Sequence, residues 1–346
     1  MNLRSGSEAV SSLNTASIAP KRRRRVLQVG YGLALMLVLF ELAGRHWGLH
    51  HPVIFERTTY GYRVVPNQDI LRFGNRAFFN ALGLRSETTT ALPAAGVVRV
   101  LCLGDSVTYG GPIMDQTDTY PYRLGEQLTG LPESVEVLNA SAPGWAIDNE
   151  MGWLRENGTL GSRYVILTIS THDLFQPLAS ASVVGSHPAY PDRQPEFAIE
   201  EIAVRYVWPR LAPWISIADP GVGGHDQWSD EQARANLDTV LLMEQIVRQS
   251  GGSLVVLLSS ESIDPRMDSL AATARQRMVE ALARKNVSVL TIDDAINRLG
   301  RSFLYRDTVH PNPEGNRAMA IAAADYLRPR IAAVVQGRGR MEVQSR

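Results

Sequence analysis

The chain is nearly devoid of cysteine. Its 346 residues include one, Cys102, so no intrachain disulfide can form and cysteine usage says nothing about compartment. Charge of one sign is missing as well. Lys+Arg and Asp+Glu balance at 35 each, leaving neither the basic surplus of a nucleic-acid binder nor the acidic surplus of a solvating tail. No Gly-x-x-x-x-Gly-Lys-Ser/Thr phosphate cradle and no internal repeat occur. His46, His50 and His51 cluster without matched acidic or cysteine partners, so neither a metal nor another cofactor is expected.

Long apolar runs are equally scarce, and the best of them lies near the N-terminus. Val26–Gly44 is apolar apart from Gln28 and Glu41 and follows the basic run Lys21–Arg25. As a helix its 19 residues reach roughly 28 Å, close to a bilayer core of about 30 Å. Basic residues ahead of a span favour a cytoplasmic N-terminus, which places the rest of the chain outside the cytoplasm. Two other readings stay open. One is a cleaved signal peptide, although cleavage after Ala43 would put Glu41 where a small residue is wanted; the other is a buried amphipathic helix.

Beyond the span, 45% hydrophobic content suffices for one large core. Tyr60–Asn67 and Arg72–Leu84 read as a short preceding layer such as a strand pair, and Ala91–Gly96 as a linker. Val97–Leu103, Val135–Asn139, Tyr164–Ile169, Leu254–Leu258 and Val287–Ile292 are short apolar runs, the pattern of parallel strands covered on both faces. Helical stretches separate them, at about Tyr120–Leu128, Asn149–Glu156, Asp230–Gln249 and Arg266–Lys285. A last helix has Asn312 as cap and Pro313 as first residue. This alternation predicts a three-layer α/β/α sandwich with a five-stranded parallel sheet, whose ligands bind outside the strands' carboxyl ends. The expected divisions are a tail at 1–25, an anchor at 26–44, a lead-in at 45–96, a catalytic domain at 97–335 with an insertion at about 178–229, and a basic tail at 336–346.

The chemistry-bearing residues lie at the two ends of that domain. Gly104-Asp105-Ser106 follows the first strand, and Asp307-Thr308-Val309-His310-Pro311 precedes the last helix. A serine hydroxyl needs a neighbouring imidazole to take its proton and a carboxylate to hold that ring in one tautomer. Ser106, His310 and Asp307 supply all three, and an aspartate three residues before a histidine can reach the ring's near nitrogen. Cys102 reads as a buried strand thiol. Thr108 stands where a Gly-x-Ser-x-Gly elbow needs its second glycine, which argues against the lipase-type α/β-hydrolase fold.

Together, Gly104-Asp105-Ser106-Val107-Thr108, Gly144 in Asn139–Gly144, Thr168–Leu174 and Asp307-x-x-His310-Pro311 resemble the four blocks of the SGNH (GDSL-type) hydrolases. The likeness spans about residues 97–330, and Asn80–Arg85 resembles the lead-in of membrane-anchored bacterial members. It implies a flavodoxin-like fold and a serine esterase, with Ser106 as nucleophile, His310 as base and Asp307 as its orienter. The family's oxyanion donors fall on the backbone of Ser106 and Gly144 and on a block-three asparagine. Here that block reads Ser170-Thr171-His172-Asp173, so His172 replaces the asparagine; an imidazole retains an N–H donor and can do the same work. Asp105 and Asp173 are expected to brace loops.

Leu178–Ser229 carries six prolines and Trp208, Trp214 and Trp228, either as binding walls or as pins for the insertion. Trp145, beside Gly144, is the aromatic expected to touch substrate. The expected substrate is a small-molecule or glycan acyl ester, with O-acetyl groups on an envelope or exported carbohydrate preferred. An O-acyltransferase and a non-catalytic glycan-binding protein are the alternatives. Oligomeric state is not legible.

Overall fold

In a computed structural model of the protein, residues 20–211, 228–259 and 268–344 are described. Helix α1 (Pro20–His46) leads the chain. Two hairpins follow, β1 (Phe55–Thr58) with β2 (Gly61–Val64) and β3 (Gln68–Arg72) with β4 (Asn75–Phe79). Where the sequence suggested one strand pair there are two separate ones.

Five strands then form one parallel sheet: β5 (Val98–Gly104), β6 (Val135–Ser141), β7 (Tyr164–Ser170), β8 (Ser253–Ser259) and β9 (Ser288–Thr291). Their order is β6-β5-β7-β8-β9. Side chains alternate across a pleated strand, so each strand feeds two cores. Leu101, Leu103, Val165, Leu167 and Ile169 face one, against α4 (Ile147–Asn157), α7 (Asp230–Gln249), α8 (Asp268–Arg284) and the hairpins. Val100, Cys102 and Ile166 face the other, with α3 (Tyr120–Gln127) and α11 (Pro313–Gln344). The fold is the expected α/β/α sandwich. Burial pushes the Cys102 thiol up to about 12, so it stays protonated and inert.

Between these elements lie α2 (Ser106–Tyr109), α5 (Ala198–Glu201), a π-helical stretch (Ile202–Val207), α6 (Trp208–Leu211), α9 (Asp293–Leu299) and α10 (Arg301–Leu304). The insertion is therefore partly helical. It also contributes Val183, Val184, Tyr190 and Ala198 to the buried interior. Trp228 stacks on Phe175 at 4.4 Å and pins the segment, whereas Trp208 is exposed and Trp214 lies outside the described residues.

One buried ion pair ties the insertion to the lead-in. Arg72, 1% exposed, donates to both carboxylate oxygens of Glu201 and to the Tyr206 hydroxyl. Glu201→Ala strands that guanidinium and is expected to lower unfolding free energy by about 3–5 kcal/mol in chemical denaturation. A loss under about 1 kcal/mol would show that water reaches Arg72.

Helix α1 departs from the rest. The most apolar 18-residue window within its segment Arg23–His46 has a mean hydropathy of 1.9, and no residue of that window is buried. Leucine, valine and phenylalanine side chains stand out on all sides of it.

Candidate active site

Strand order reverses at β5, whose neighbours are β6 and β7, and open α/β sheets bind ligands outside the strand ends at such a reversal. Ser106, Gly144 and His172 follow the carboxyl ends of these three strands. Gly104 is required for the turn into α2, because a Cβ there would lie 2.2 Å from Thr108 Oγ1. Asp105 caps α2 by accepting from Val107 N at 2.9 Å, which fixes Ser106 at the helix start. Gly144 adopts φ +71°, a left-handed conformation that favours glycine.

The histidine loop is built by its own aspartate. Asp307 Oδ1 accepts from the backbone of Val309 (2.8 Å) and His310 (2.7 Å), while a bridge between Tyr305 and Pro311 closes the loop. This brings His310 Nδ1 to 2.9 Å from Asp307 Oδ2, and His310 Nε2 to 2.9 Å from Ser106 Oγ. Burial alone would raise the Asp307 pKa, but the two backbone N–H groups and the imidazole outweigh it and hold the carboxyl below its ordinary value. At neutral pH it is a carboxylate accepting from the ring. Asn312 Oδ1 then caps α11, accepting from Glu314 and Gly315 at 3.0 Å each, as its sequence predicts.

The Ser106 hydroxyl also lies 3.2 Å from Asp105 Oδ2. It has one proton, so attack on a carbonyl requires that proton to point at His310 rather than Asp105.

His172, 8% exposed, opens a short 3₁₀ turn after β7. Its Nε2 is 3.2 Å from Asp173 Oδ1 and 3.8 Å from Asp105 Oδ2, beside the serine. Asp173 Oδ2 accepts from Ser170 N at 2.6 Å, so Asp105 and Asp173 do brace their loops. Donor atoms of Asp105, His172 and Asp173 fall within 4.8 Å of one another, a spacing that a divalent ion could bridge. Each carboxylate accepts one backbone N–H, from Val107 to Asp105 and from Ser170 to Asp173, and His172 lies beside both.

Trp145 does not meet its expected role. It is 1% exposed, edge-on to Tyr60, and its indole N–H donates to Tyr62 O at 2.8 Å. The hairpins cover it, so it supports the Gly144 turn from within the core.

Three other residues support the site through partners distant in sequence. Arg85 is 2% exposed and donates to the carbonyls of Tyr109, Gly111 and Met114, bracing the chain that leaves α2; burial pulls its pKa down to about 10. Asn236 of α7 donates to the carbonyls of Asp173, Leu174 and Gln176 and anchors the His172 turn. Glu150 of α4 is 2% exposed, and its Oε2 has no hydrogen-bond partner among the described residues. Burial first, then the charges of Asp173 and Asp105, push its pKa well above 4.5.

Glu150 thus folds as a neutral acid. Above the ordinary value of 4.5 the unfolded chain ionises this group and the native one does not, so its contribution to stability falls as pH rises towards the native pKa. Glu150→Gln removes that loss. Denaturation curves between pH 4 and 8 are expected to show the variant gaining on wild type as pH rises; a gap independent of pH would mean that Glu150 ionises in the native protein.

The sequence model of the GDSL-like lipase/acylhydrolase family matches residues 102–318. The chain belongs to that family. It is a hydrolase acting on ester bonds. No curated protein matches the sequence. Similar solved structures include an acetylxylan esterase from Geobacillus stearothermophilus, at 15% identity and a TM-score of 0.41 over 69% of this chain and 95% of that one. A lipase/acylhydrolase from Enterococcus faecalis is 14% identical, with a TM-score of 0.40 over 67% of this chain and 96% of that one. A GDSL-like lipase from Bacteroides thetaiotaomicron is 12% identical, with a TM-score of 0.39 over 69% of this chain and 92% of that one. The family assignment rests on the sequence match.

Proposed function

We propose that this hydrolase is a membrane-anchored serine esterase that removes acyl groups, O-acetyl above all, from an envelope or exported carbohydrate. The observation that carries the catalytic part is the unbroken chain from Ser106 Oγ to His310 Nε2 and from His310 Nδ1 to Asp307, each link 2.9 Å. Ser106 attacks the ester carbonyl as its proton passes to His310. Asp307 orients the ring and stabilises the imidazolium. The tetrahedral oxyanion is met by the N–H groups of Ser106 and Gly144 and by an N–H of His172. Collapse expels the sugar hydroxyl, protonated by His310, and leaves an acyl-Ser106 ester. Water activated by the same imidazole then releases the acid.

Helix α1 supports the anchor. A helix apolar all round belongs in a bilayer, because in water it would expose its whole side-chain surface. Basic residues ahead of it favour a cytoplasmic N-terminus, which supports a catalytic domain outside the cytoplasm.

The test is acetate release by the detergent-purified full chain from O-acetylated polysaccharides, with p-nitrophenyl acetate as a generic ester. Release that disappears in Ser106→Ala is expected. Turnover of the generic ester without release from any acetylated glycan would overturn the carbohydrate assignment, and acyl transfer to an added glycan in preference to water would overturn hydrolysis.

A further inference from the structure

Among the described residues, the stretch from Ala198 to Leu211 carries an exposed apolar stripe. Val204, Val207, Trp208 and Leu211 are 49%, 43%, 54% and 65% exposed. Val204 and Val207 lie on the π-helical stretch and Trp208 and Leu211 on α6, which continues it. Here the buried groups are Ala198 and Glu201 at the start of the stretch, and Phe197 just before it is also exposed. Two cations lie among the stripe residues: Arg205, half-buried and 3.5 Å from the Glu201 carboxylate, and Arg210, exposed and donating to Tyr206 O.

The placement of this helix says what covers the stripe. A Cβ at Gly44 would lie 2.6 Å from the Ala198 Cβ, so α1 and α5 touch backbone to side chain. The Glu41 carboxylate accepts from Ala198 N (3.1 Å) and Ile199 N (3.0 Å), capping α5 from the neighbouring helix. Arg45 pairs with Glu41 and donates to Glu196 O at 2.8 Å. The Arg72–Glu201 pair fastens the other side of α5 to the lead-in. Glu41, Gly44 and Arg45 are in the last turns of α1, so α5 begins at the level where a span would leave the hydrocarbon. Trp47, 51% exposed, lies just beyond that exit.

We propose that Phe197 and the Val204/Val207/Trp208/Leu211 stripe sink into the interfacial layer of the leaflet that faces the catalytic domain, with Arg205 and Arg210 at the lipid phosphates. This rests on the reading of α1 as a membrane span. Tryptophan and arginine flanking an apolar stripe match the acyl-to-headgroup boundary, where an indole keeps its ring in lipid and its N–H in water. A single span leaves the domain free to swivel about one axis. A second lipid contact fixed to that span by Glu41, Gly44 and Arg45 removes the freedom and sets how Ser106 is presented to substrate beyond the bilayer.

The experiment uses the full chain in nanodiscs of phosphatidylethanolamine and phosphatidylglycerol. Single cysteines replace Val204, Trp208 or Leu211, with Leu35→Cys as a control within the span and Arg234→Cys as one at an exposed position of α7. Cys102 is retained because it is fully buried and escapes labelling. Each variant carries a nitroxide, and collision rates with oxygen and with a water-soluble nickel chelate are compared. Turnover of p-nitrophenyl acetate verifies that each variant folds. Positions 204, 208 and 211 are expected to favour oxygen, as Leu35→Cys does, and Arg234→Cys to favour nickel. Nickel-accessible nitroxides at all three, with Leu35→Cys in lipid, would overturn the inference alone. Nitroxides shielded from both agents would overturn it in favour of a protein cover. A Leu35→Cys nitroxide in water would overturn the span and this inference together.

Discussion

Ser106→Ala is expected to lower ester turnover by about 10⁴–10⁶-fold while leaving the protein folded. The side chain has two polar contacts, His310 Nε2 at 2.9 Å and Asp105 Oδ2 at 3.2 Å. Asp105 keeps its bond to Val107 N in the variant, so the cap of α2 survives. Ser106 is the hydroxyl held at 2.9 Å from His310 Nε2 among the described residues, which is why the loss is large. His310→Ala should fall into the same range, and the double variant should be scarcely slower than either single one, since base and nucleophile act as a unit. Steady-state rates of the three variants check this, with thermal unfolding as the control. Multiplicative losses would mean that the two residues work separately.

The second large effect falls on His172. His172→Ala is expected to cost about 10²–10³ in kcat, the usual consequence of removing an oxyanion donor. His172→Asn should restore most of the rate, because an amide presents an N–H from a similar position. The imidazole faces Asp105 and Asp173, and Glu150 adds a buried acid nearby, so turnover of both variants is read beside that of Glu150→Gln. Unchanged turnover in His172→Ala would remove the residue from the oxyanion hole and leave it a packing role.

What could be read from the sequence was whatever local pattern determines. The five strands were visible because parallel strands covered on both faces are written as unbroken apolar runs. Only the edge strand β9 is shorter than its run, and it pairs on one side alone, with β8. The spacing from Asp307 to His310 was legible because a three-residue turn closes on itself whatever surrounds it. Trp145 was misread because nothing local announces that β1 and β2 fold over it and that Tyr62 O takes its indole proton. Arg85, Asn236 and Glu150 went unread for the same reason. Each is defined by partners or charges more than 20 residues away, and nothing nearby in sequence distinguishes them from surface polar residues.

The central claim is that Ser106, activated by His310, forms a covalent acyl-enzyme. It is tested most directly by treating the folded protein with a fluorophosphonate ester and locating the adduct by peptide mass. The account requires one adduct per chain, on Ser106, formed much more slowly in His310→Ala and absent from Ser106→Ala. A folded wild-type protein that remains unlabelled, or that carries the adduct on another residue, would contradict it.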